Sequence, residues 1–215
     1  MNGHEKEAKS SEASLALTKA LVLESAMMLI PGAAQAVGVV RSIYAHRFTS
    51  FVNRLAARLE NVEADAERLA SVIAETQALV LGSPVEEQDR ILNAVFHAAT
   101  TRCWPLSLQR RFIGMLSYFG NLHFQILNIM RTNEDPHGGL MDSLAGRIER
   151  HLGGLDPEEL QLAWGDLYRE SLVDAELVNS LGTSGGMCGK RTTALGDQFL
   201  AFVGNRARSS QTDTP

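Results

Sequence analysis

A long apolar stretch near the start of the chain, Ala20 to Val40, constrains the fold more than any other feature. It carries a single charge, Glu24, and its length is about what a helix needs to cross a hydrocarbon core of roughly 30 Å. Pro31 and Gly32 lie at its middle, where proline removes a backbone donor and glycine weakens a helix. The stretch therefore predicts a hairpin of two short apolar helices, packed either in a helical core or in a membrane.

The composition is that of an ordinary soluble protein with a sizeable core, since 45% of the 215 residues are apolar and 21% are charged. The net charge of −5 excludes a global positive field that would hold nucleic acid or an anionic membrane. Cys103 and Cys188 lack CxxC spacing, and the first residues lack the order of a signal peptide. We therefore expect a cytoplasmic protein, and the alternative is a protein held at or in the inner membrane through Ala20 to Val40.

Apolar residues recur in steps of four and three from Phe48 to Val80, which is the heptad spacing of a helix-packing seam. The spacing predicts one helix of about 34 residues, roughly 50 Å long. Such a seam packs either inside an intramolecular bundle or between subunits, and the pattern is the same for both. The seam consists of Phe48, Val52, Leu55, Leu59, Val62, Ala66, Leu69, Ile73, Thr76 and Val80.

A capping box is predicted after Gly82, with Ser83 as N-cap, Pro84 at the first helical position and Glu86 at the third. It begins a helix that reaches about Arg102, and Trp104 with the following proline ends the N-terminal helical region. We expect residues 14–104 to form this region, comprising the apolar hairpin, the heptad helix and the capped helix.

The last part of the chain, residues 105–204, has the order of a winged helix, in which helices are followed by a short two-stranded ribbon. The two ends of the chain, residues 1–13 and 205–215, are too polar to offset the entropy of ordering, and we expect them to be disordered. The fold class is therefore mainly α, with a winged-helix-like C-terminal module. The predicted elements of this module are helices at 121–130, 140–152 and 157–172, extended pieces at 175–178 and 190–193 around a glycine-rich tip, and a last helix at 195–203. The third helix is predicted to begin with Asp156 as N-cap, Pro157 at the first helical position and Glu159 at the third.

The chain loosely resembles, over most of its length, a broad set of uncharacterised prokaryotic helical proteins. The resemblance lies in the IPG-containing apolar segment, in Arg41, Arg47 and Phe48 after it, and in the terminal TTALGDQFLAFV. It implies a winged-helix-like C-terminal module and supplies no activity. The terminal T-x-L-G-x-x-F-L-x-F-[IV] motif of that set is matched by Thr193, Leu195, Gly196, Phe199, Leu200, Phe202 and Val203.

No group of residues in the sequence has the pattern of a catalytic, cofactor-binding or metal site. The segment from Ser184 to Arg191 approaches a phosphate loop, but serine and arginine stand where the motif requires glycine and a hydroxyl residue. The six histidines have no metal-ligand spacing, and His123, in an apolar helix, is interpreted as a core residue with satisfied hydrogen bonds. We expect no enzymatic activity, no cofactor and no metal.

The charge of the winged-helix-like module argues against nucleic acid as a partner. Residues 118–204 contain six basic and twelve acidic residues, so phosphates would be repelled. Lys190 and Arg191, beside the predicted wing, are the candidates for nucleic-acid contact.

The sequence favours a non-enzymatic interaction protein that self-associates as a homo-oligomer or docks a protein partner through the apolar hairpin and the heptad helix. One alternative is a membrane-associated effector that inserts Ala20 to Val40 and carries Arg41, Arg47, Arg54 and Arg58 as a basic flank. Another is a DNA-binding winged-helix regulator. The candidate interaction residues are Phe48, Val52, Leu55, Leu59, Val62, Leu69 and Ile73.

Overall fold

A computed structural model of the chain describes residues 37–60, 62–85, 87–100, 104–132, 141–176, 178, 181–183 and 189–204. Within these ranges the protein has eight helices. It is mainly helical, as the sequence predicts. The chain divides into two compact units, unit 1 (Met1–Ile113) and unit 2 (Gly114–Pro215). The elements are α1 (Val37–Leu59), α2 (Ala66–Gly82), α3 (Gln88–Thr100), α4 (Leu106–Leu116), α5 (Asn121–Arg131), β1 (Met141–Ser143), α6 (Leu144–Leu152), α7 (Pro157–Arg169), β2 (Leu181–Thr183) and α8 (Ala194–Phe202).

The division between the units falls inside α4, later than the predicted boundary at residue 104. The first part of α4 belongs to unit 1, where Arg110 Nε lies 3.2 Å from the Glu75 carboxylate on α2. Gln109 on the same turn is fully buried. The Trp104-Pro105 break therefore starts a new helix of unit 1 and does not end the unit.

The predicted seam forms the core of unit 1, in which α1, α2 and α3 contact one another pairwise. Apolar stripes on the three helices face each other, as hydrophobic burial requires. Eight of the ten predicted seam residues are buried in the single chain. They are Phe48, Val52, Leu55 and Leu59 on α1, and Leu69, Ile73, Thr76 and Val80 on α2.

The prediction of one long heptad helix is wrong, because the chain turns between Leu59 and Ala66. Asp65 caps α2, since its side chain accepts a hydrogen bond from the Arg68 N–H at 3.1 Å, and its own N–H donates to the Ala99 carbonyl at 3.2 Å. Val62 falls in this turn and is 41% exposed. The heptad spacing runs across the turn because spacing records only which residues are apolar, whereas the capping carboxylate decides where a helix begins.

An aspartate at two positions of the predicted seam should therefore have opposite consequences. Leu59→Asp would bury an unpaired carboxylate, and we expect it to destabilise unit 1 by about 3 kcal/mol or more. Val62→Asp, in the exposed turn, should change the free energy of unfolding by less than about 1 kcal/mol. Chemical denaturation of both variants measures the difference. Equal losses would instead support a continuous heptad helix.

The turn between α2 and α3 also differs from its prediction, because Ser83 ends α2 and does not begin α3. Its N–H donates to the Leu79 carbonyl at 2.9 Å, and α3 begins only at Gln88. The buried Gln88 side chain donates to the Val80 carbonyl at 3.1 Å. The last carbonyls of a helix have no donors within the helix, and these two contacts supply donors to carbonyls at the end of α2.

Unit 2 is built around α5, which α6, α7 and α8 all contact. Aromatic rings join these helices, since the Phe199 ring lies 5.7 Å from that of Phe119 and 5.8 Å from that of Phe124, measured between centroids. The Trp164 ring of α7 is buried as well, and its Nε1–H donates to the Ala175 carbonyl at 2.9 Å. Asp156 caps α7 as predicted, and its carboxylate accepts from the Glu158 N–H at 3.0 Å.

The strands of unit 2 lie elsewhere than the predicted ribbon of 175–178 and 190–193. β1 pairs antiparallel with β2, and the only pairing that the structure describes near the predicted ribbon is a single bridge between Val173 and Thr192. The extended chain starts early because α7 ends at Arg169 and Ser171, two residues later, has a φ of 60°. The Leu172 N–H then donates back to the Leu167 carbonyl at 2.9 Å, as at helix ends that close with a left-handed residue.

The terminal T-x-L-G motif locks α8 onto the end of α7. Thr193 caps α8 by accepting from the Gly196 N–H at 3.0 Å, while its hydroxyl donates to the Ser171 carbonyl at 2.6 Å. The Thr193 N–H donates to the Leu172 carbonyl at 3.0 Å. A Cβ atom at Gly196 would lie only 2.3 Å from that carbonyl oxygen. The glycine of the motif is therefore required by the close approach of α8 to Leu172.

Candidate interaction surface

The C-terminal part of α1 is fixed in unit 1 by polar contacts as well as by its buried stripe. Three arginines of α1 reach the turn before α3 or the first turns of α3 itself. Arginines further along α1 contact partners further along the second segment, so the two segments run alongside each other. The pairs are Arg47 with the Ser83 carbonyl, Arg54 with the Asp89 carboxylate, and Arg58 with the Asn93 side-chain oxygen.

The N-terminal part of α1, residues 37–46, precedes the first of these contacts. Residues 43–46 are all exposed, and four successive residues cover a complete helical turn. No face of this turn is therefore buried. Two of the four are large and apolar, since Ile43 is 52% exposed and Tyr44 is 38% exposed. A helical turn of this composition is what an unoccupied contact surface presents to solvent.

Tyr44 continues the buried stripe of α1 beyond the level at which α2 and α3 cover it. It lies four residues before Phe48 and seven before Phe51, so the three share one face of the helix. Helix positions 37 and 40, both valine, fall in the same register. Val85, in the turn that Arg47 contacts through Ser83, is also strongly exposed. The exposed apolar residues Ile43, Tyr44 and Val85 thus belong to one end of unit 1.

The candidate interaction residues from the sequence occupy a different place. Phe48, Val52, Leu55 and Leu59 are buried between helices of one chain, and so are their counterparts Leu69 and Ile73. Val62 alone among the seven is exposed, in the turn before α2. The structure thus brings six of the seven together as a core. The N-terminal part of α1 was not among the predicted residues, although the spacing of four from Phe48 back to Tyr44 is its sequence signal.

The two candidate nucleic-acid residues both face carboxylates of their own unit. Lys190 pairs with Asp197 on α8, and Arg191 lies 3.5 Å from the Asp174 carboxylate. Asp197 also accepts from the Thr192 hydroxyl at 2.8 Å. These carboxylates neutralise part of the positive charge that a phosphate would need.

His123 has a helix-capping role in unit 2. Its Nδ1 accepts from the Gly120 N–H at 3.1 Å, which helps to begin α5. The ring stacks on Phe119 with centroids 4.6 Å apart, and Nε2 lies 3.5 Å from the Asp166 carboxylate. The interpretation of His123 as a core residue with satisfied hydrogen bonds is therefore only partly met, because the residue is half-buried and its Nε2 atom is buried without a hydrogen-bond partner.

The described residues contain no group of three or more histidine, cysteine, aspartate or glutamate side chains that could hold a metal ion. In unit 1, burial lowers the pKa of Arg90 from its ordinary value, while the Glu87 carboxylate acts in the opposite direction. An arginine remains protonated under these conditions and is a poor acid-base group. Residues 184–188 of the glycine-rich segment, and both cysteines, lie outside the described residues.

Most of the apolar hairpin lies outside the described ranges, since only residues 37–40 of Ala20 to Val40 fall within them, as the first turn of α1. In the part of the chain that the structure describes, no helix combines the length and the apolar character needed to cross a membrane.

Comparisons of the chain with protein-family models, with curated proteins and with solved structures find no match.

Proposed function

We propose that this protein is a non-enzymatic interaction protein that self-associates through the N-terminal part of α1. The observation that carries the proposal is the exposed turn at residues 43–46, which presents Ile43 and Tyr44 to solvent. Tyr44 is in line with the buried stripe, and Ile43 lies on the adjoining face of the helix. An apolar stripe that outlasts its intramolecular partners is typical of a helix that packs against another molecule.

A second copy of the chain is the occupant that this stripe fits best. The stripe has the four-and-three spacing of paired helices, and two identical helices present it to each other with the same register. A two-fold contact places the same patch of both copies together, so that Ile43 and Tyr44 of both copies are covered at once.

Sedimentation equilibrium of the full chain tests this proposal. The native chain should form dimers or larger species, and Ile43→Asp should weaken the association by about ten-fold or more, because it removes an apolar contact and buries a charge. At a concentration where both chains are monomeric, the free energy of unfolding of the variant should stay within about 0.5 kcal/mol of the native value, since Ile43 is exposed in the single chain.

Ala57→Asp is the matched control. Ala57 is exposed, but it lies on the part of α1 that packs against α2 and α3. It should leave the association unchanged. A native chain that is monomeric at all soluble concentrations would refute self-association. If that monomer floats with liposomes of neutral and anionic lipid, and Ile43→Asp abolishes the flotation, the membrane-associated alternative is correct instead.

The finer architecture of the two units is part of the same proposal. We assign α1, α2 and α3 to a small helical bundle, and unit 2 to a winged-helix-like module that makes protein contacts. The order α5, β1, α6, α7, β2 and α8 supports the second assignment. The acidic character of the module and the intramolecular partners of Lys190 and Arg191 favour protein over DNA as its partner. Membership of the resembling prokaryotic set remains a proposal.

A further inference from the structure

One stripe on the exposed face of α7 consists of Glu158, Leu162, Gly165 and Arg169. Their spacing of four, three and four places them within a narrow band of the helix, opposite the buried residues Leu160, Ala163, Trp164 and Leu167. Leu162 is the most exposed large apolar residue among those that the structure describes, at 72%. The Arg169 side chain is 75% exposed, and its guanidinium donates to the Asp166 carboxylate of the same helix at 3.0 Å.

Gly165 is unusual because no contact among the described residues requires a glycine there. A glycine in a helix interior costs about 1 kcal/mol relative to alanine. At Gly196 the close approach of Leu172 requires the glycine, but a Cβ atom at Gly165 would meet no atom within 4 Å. A glycine on an exposed helix face leaves a notch into which another molecule can bring a side chain. Gly165 and Leu162 together therefore form a notch and a knob on one stripe.

The stripe is complementary to itself in the antiparallel direction. Leu162 and Gly165 are centred on the point midway between positions 163 and 164, and so are Glu158 and Arg169. A two-fold axis through that point places each Leu162 opposite the notch at Gly165 of the second copy. It also places each Glu158 opposite Arg169 of the second copy. The stripe is therefore complementary, in both shape and charge, to its two-fold related copy.

We propose that α7 pairs antiparallel with α7 of a second copy through Glu158, Leu162, Gly165 and Arg169. This contact is independent of the contact proposed for α1. A single pair of short helices covers less than the roughly 800 Å² per partner of a standard interface, so the contact is weak and depends on concentration. A chain with two different two-fold contacts assembles beyond the dimer when each contact engages a different copy.

The first test uses the full chain with Ile43→Asp, in which the α1 contact is disrupted. Sedimentation equilibrium over a concentration series should still show dimerisation, and adding Leu162→Asp should weaken it by about ten-fold or more. Gln198→Asp, at an exposed position of α8, is the control and should have no effect. Failure of the α1 proposal appears as no difference between the native and Ile43→Asp chains, whereas failure of the α7 proposal appears as no effect of Leu162→Asp in either chain.

The charge pair tests whether the occupant is a second antiparallel α7. Glu158→Arg alone should bring two arginines of different copies together, and Arg169→Glu alone should bring two carboxylates together, so each should weaken dimerisation. The double variant should restore dimerisation, although both changes oppose the helix dipole and lower the unfolding midpoint slightly. If the double variant dimerises no better than the single variants, the antiparallel pairing is overturned.

Gly165→Ala separates the docking role from a structural one. In the single chain this change removes a helix-weakening glycine into open space, so it should raise the unfolding midpoint of unit 2. The same methyl group would fill the notch and weaken dimerisation in the Ile43→Asp chain, and Gly165→Leu should weaken it further. Dimerisation that is unchanged by Gly165→Leu, or a chain with Ile43→Asp that stays monomeric at its highest soluble concentration, would overturn the proposal.

Discussion

Replacing Arg147 with methionine should lower the stability of unit 2 by about 3 to 5 kcal/mol. Arg147 lies on α6 and is completely buried. Its guanidinium donates to three backbone carbonyls, those of Ile129 at 2.9 Å, Thr132 at 2.7 Å and Gly189 at 2.9 Å. The first two belong to the C-terminal end of α5, where carbonyls lack helical partners and the helix dipole favours a cation. Methionine fills similar space but leaves these carbonyls without their donor.

Guanidinium denaturation followed by tryptophan fluorescence measures this loss. The chain has two tryptophans, Trp104 and Trp164, so Trp104→Phe makes the buried Trp164 the sole reporter of unit 2. Arg150→Met, at an exposed position of the same helix, is the control and should change stability by less than about 1 kcal/mol. An unchanged unfolding midpoint for Arg147→Met would show that other donors satisfy these carbonyls.

Gly196→Ala should destabilise unit 2 by about 3 kcal/mol or more. The added Cβ would lie 2.3 Å from the Leu172 carbonyl oxygen, and this neighbour is backbone, which cannot rotate away as a side chain can. Moving α8 to relieve the contact would break the hydrogen bond from the Thr193 N–H to the same oxygen. It would also disturb the packing of Phe199, which is fully buried.

The same fluorescence assay compares this variant with a second change of glycine to alanine in unit 2. Gly165→Ala has open space around the new methyl group and should stabilise the unit by about 0.5 to 1 kcal/mol. The two substitutions are chemically identical, so opposite signs isolate the effect of the Leu172 contact. A loss of less than about 1 kcal/mol for Gly196→Ala would mean that the close approach of α8 to α7 is easily relaxed.

Helices that begin with a capping residue were predicted well, because a cap acts on residues close to it in sequence. Asp156 and Pro157 begin α7 as the sequence predicts, since a carboxylate that caps its own helix acts over two or three residues. At the start of α5, Gly120 has no side chain that could cap the helix, and its N–H donates to the His123 side chain three residues later. Ser83 misled the prediction because the residue types that begin one helix also occur in the turn that ends another, and the choice depends on which carbonyl accepts the N–H.

The heptad seam shows how a correct pattern can indicate the wrong element. The buried stripe of Phe48, Leu55, Leu69 and Ile73 exists, but it belongs to two helices joined by a turn. Apolar spacing identifies the residues that are removed from water. Whether one helix or two present them depends on the energy of the turn and on the hydrogen bond from the Asp65 N–H to Ala99 on α3. Ala99 lies far from Asp65 in sequence.

The sequence by itself determined the mainly helical class, most helix positions and the residues that form the core of unit 1, because periodicity and capping are local properties of a chain. Only the tertiary structure decided which apolar residues remain exposed, and so placed the candidate interaction surface at Ile43 and Tyr44 and not at the seam. It likewise distinguished Gly196, which a carbonyl distant in sequence requires, from Gly165, which no contact in the described part of the chain requires. Exposure and close approach depend on segments far apart in sequence, so no local pattern can supply them.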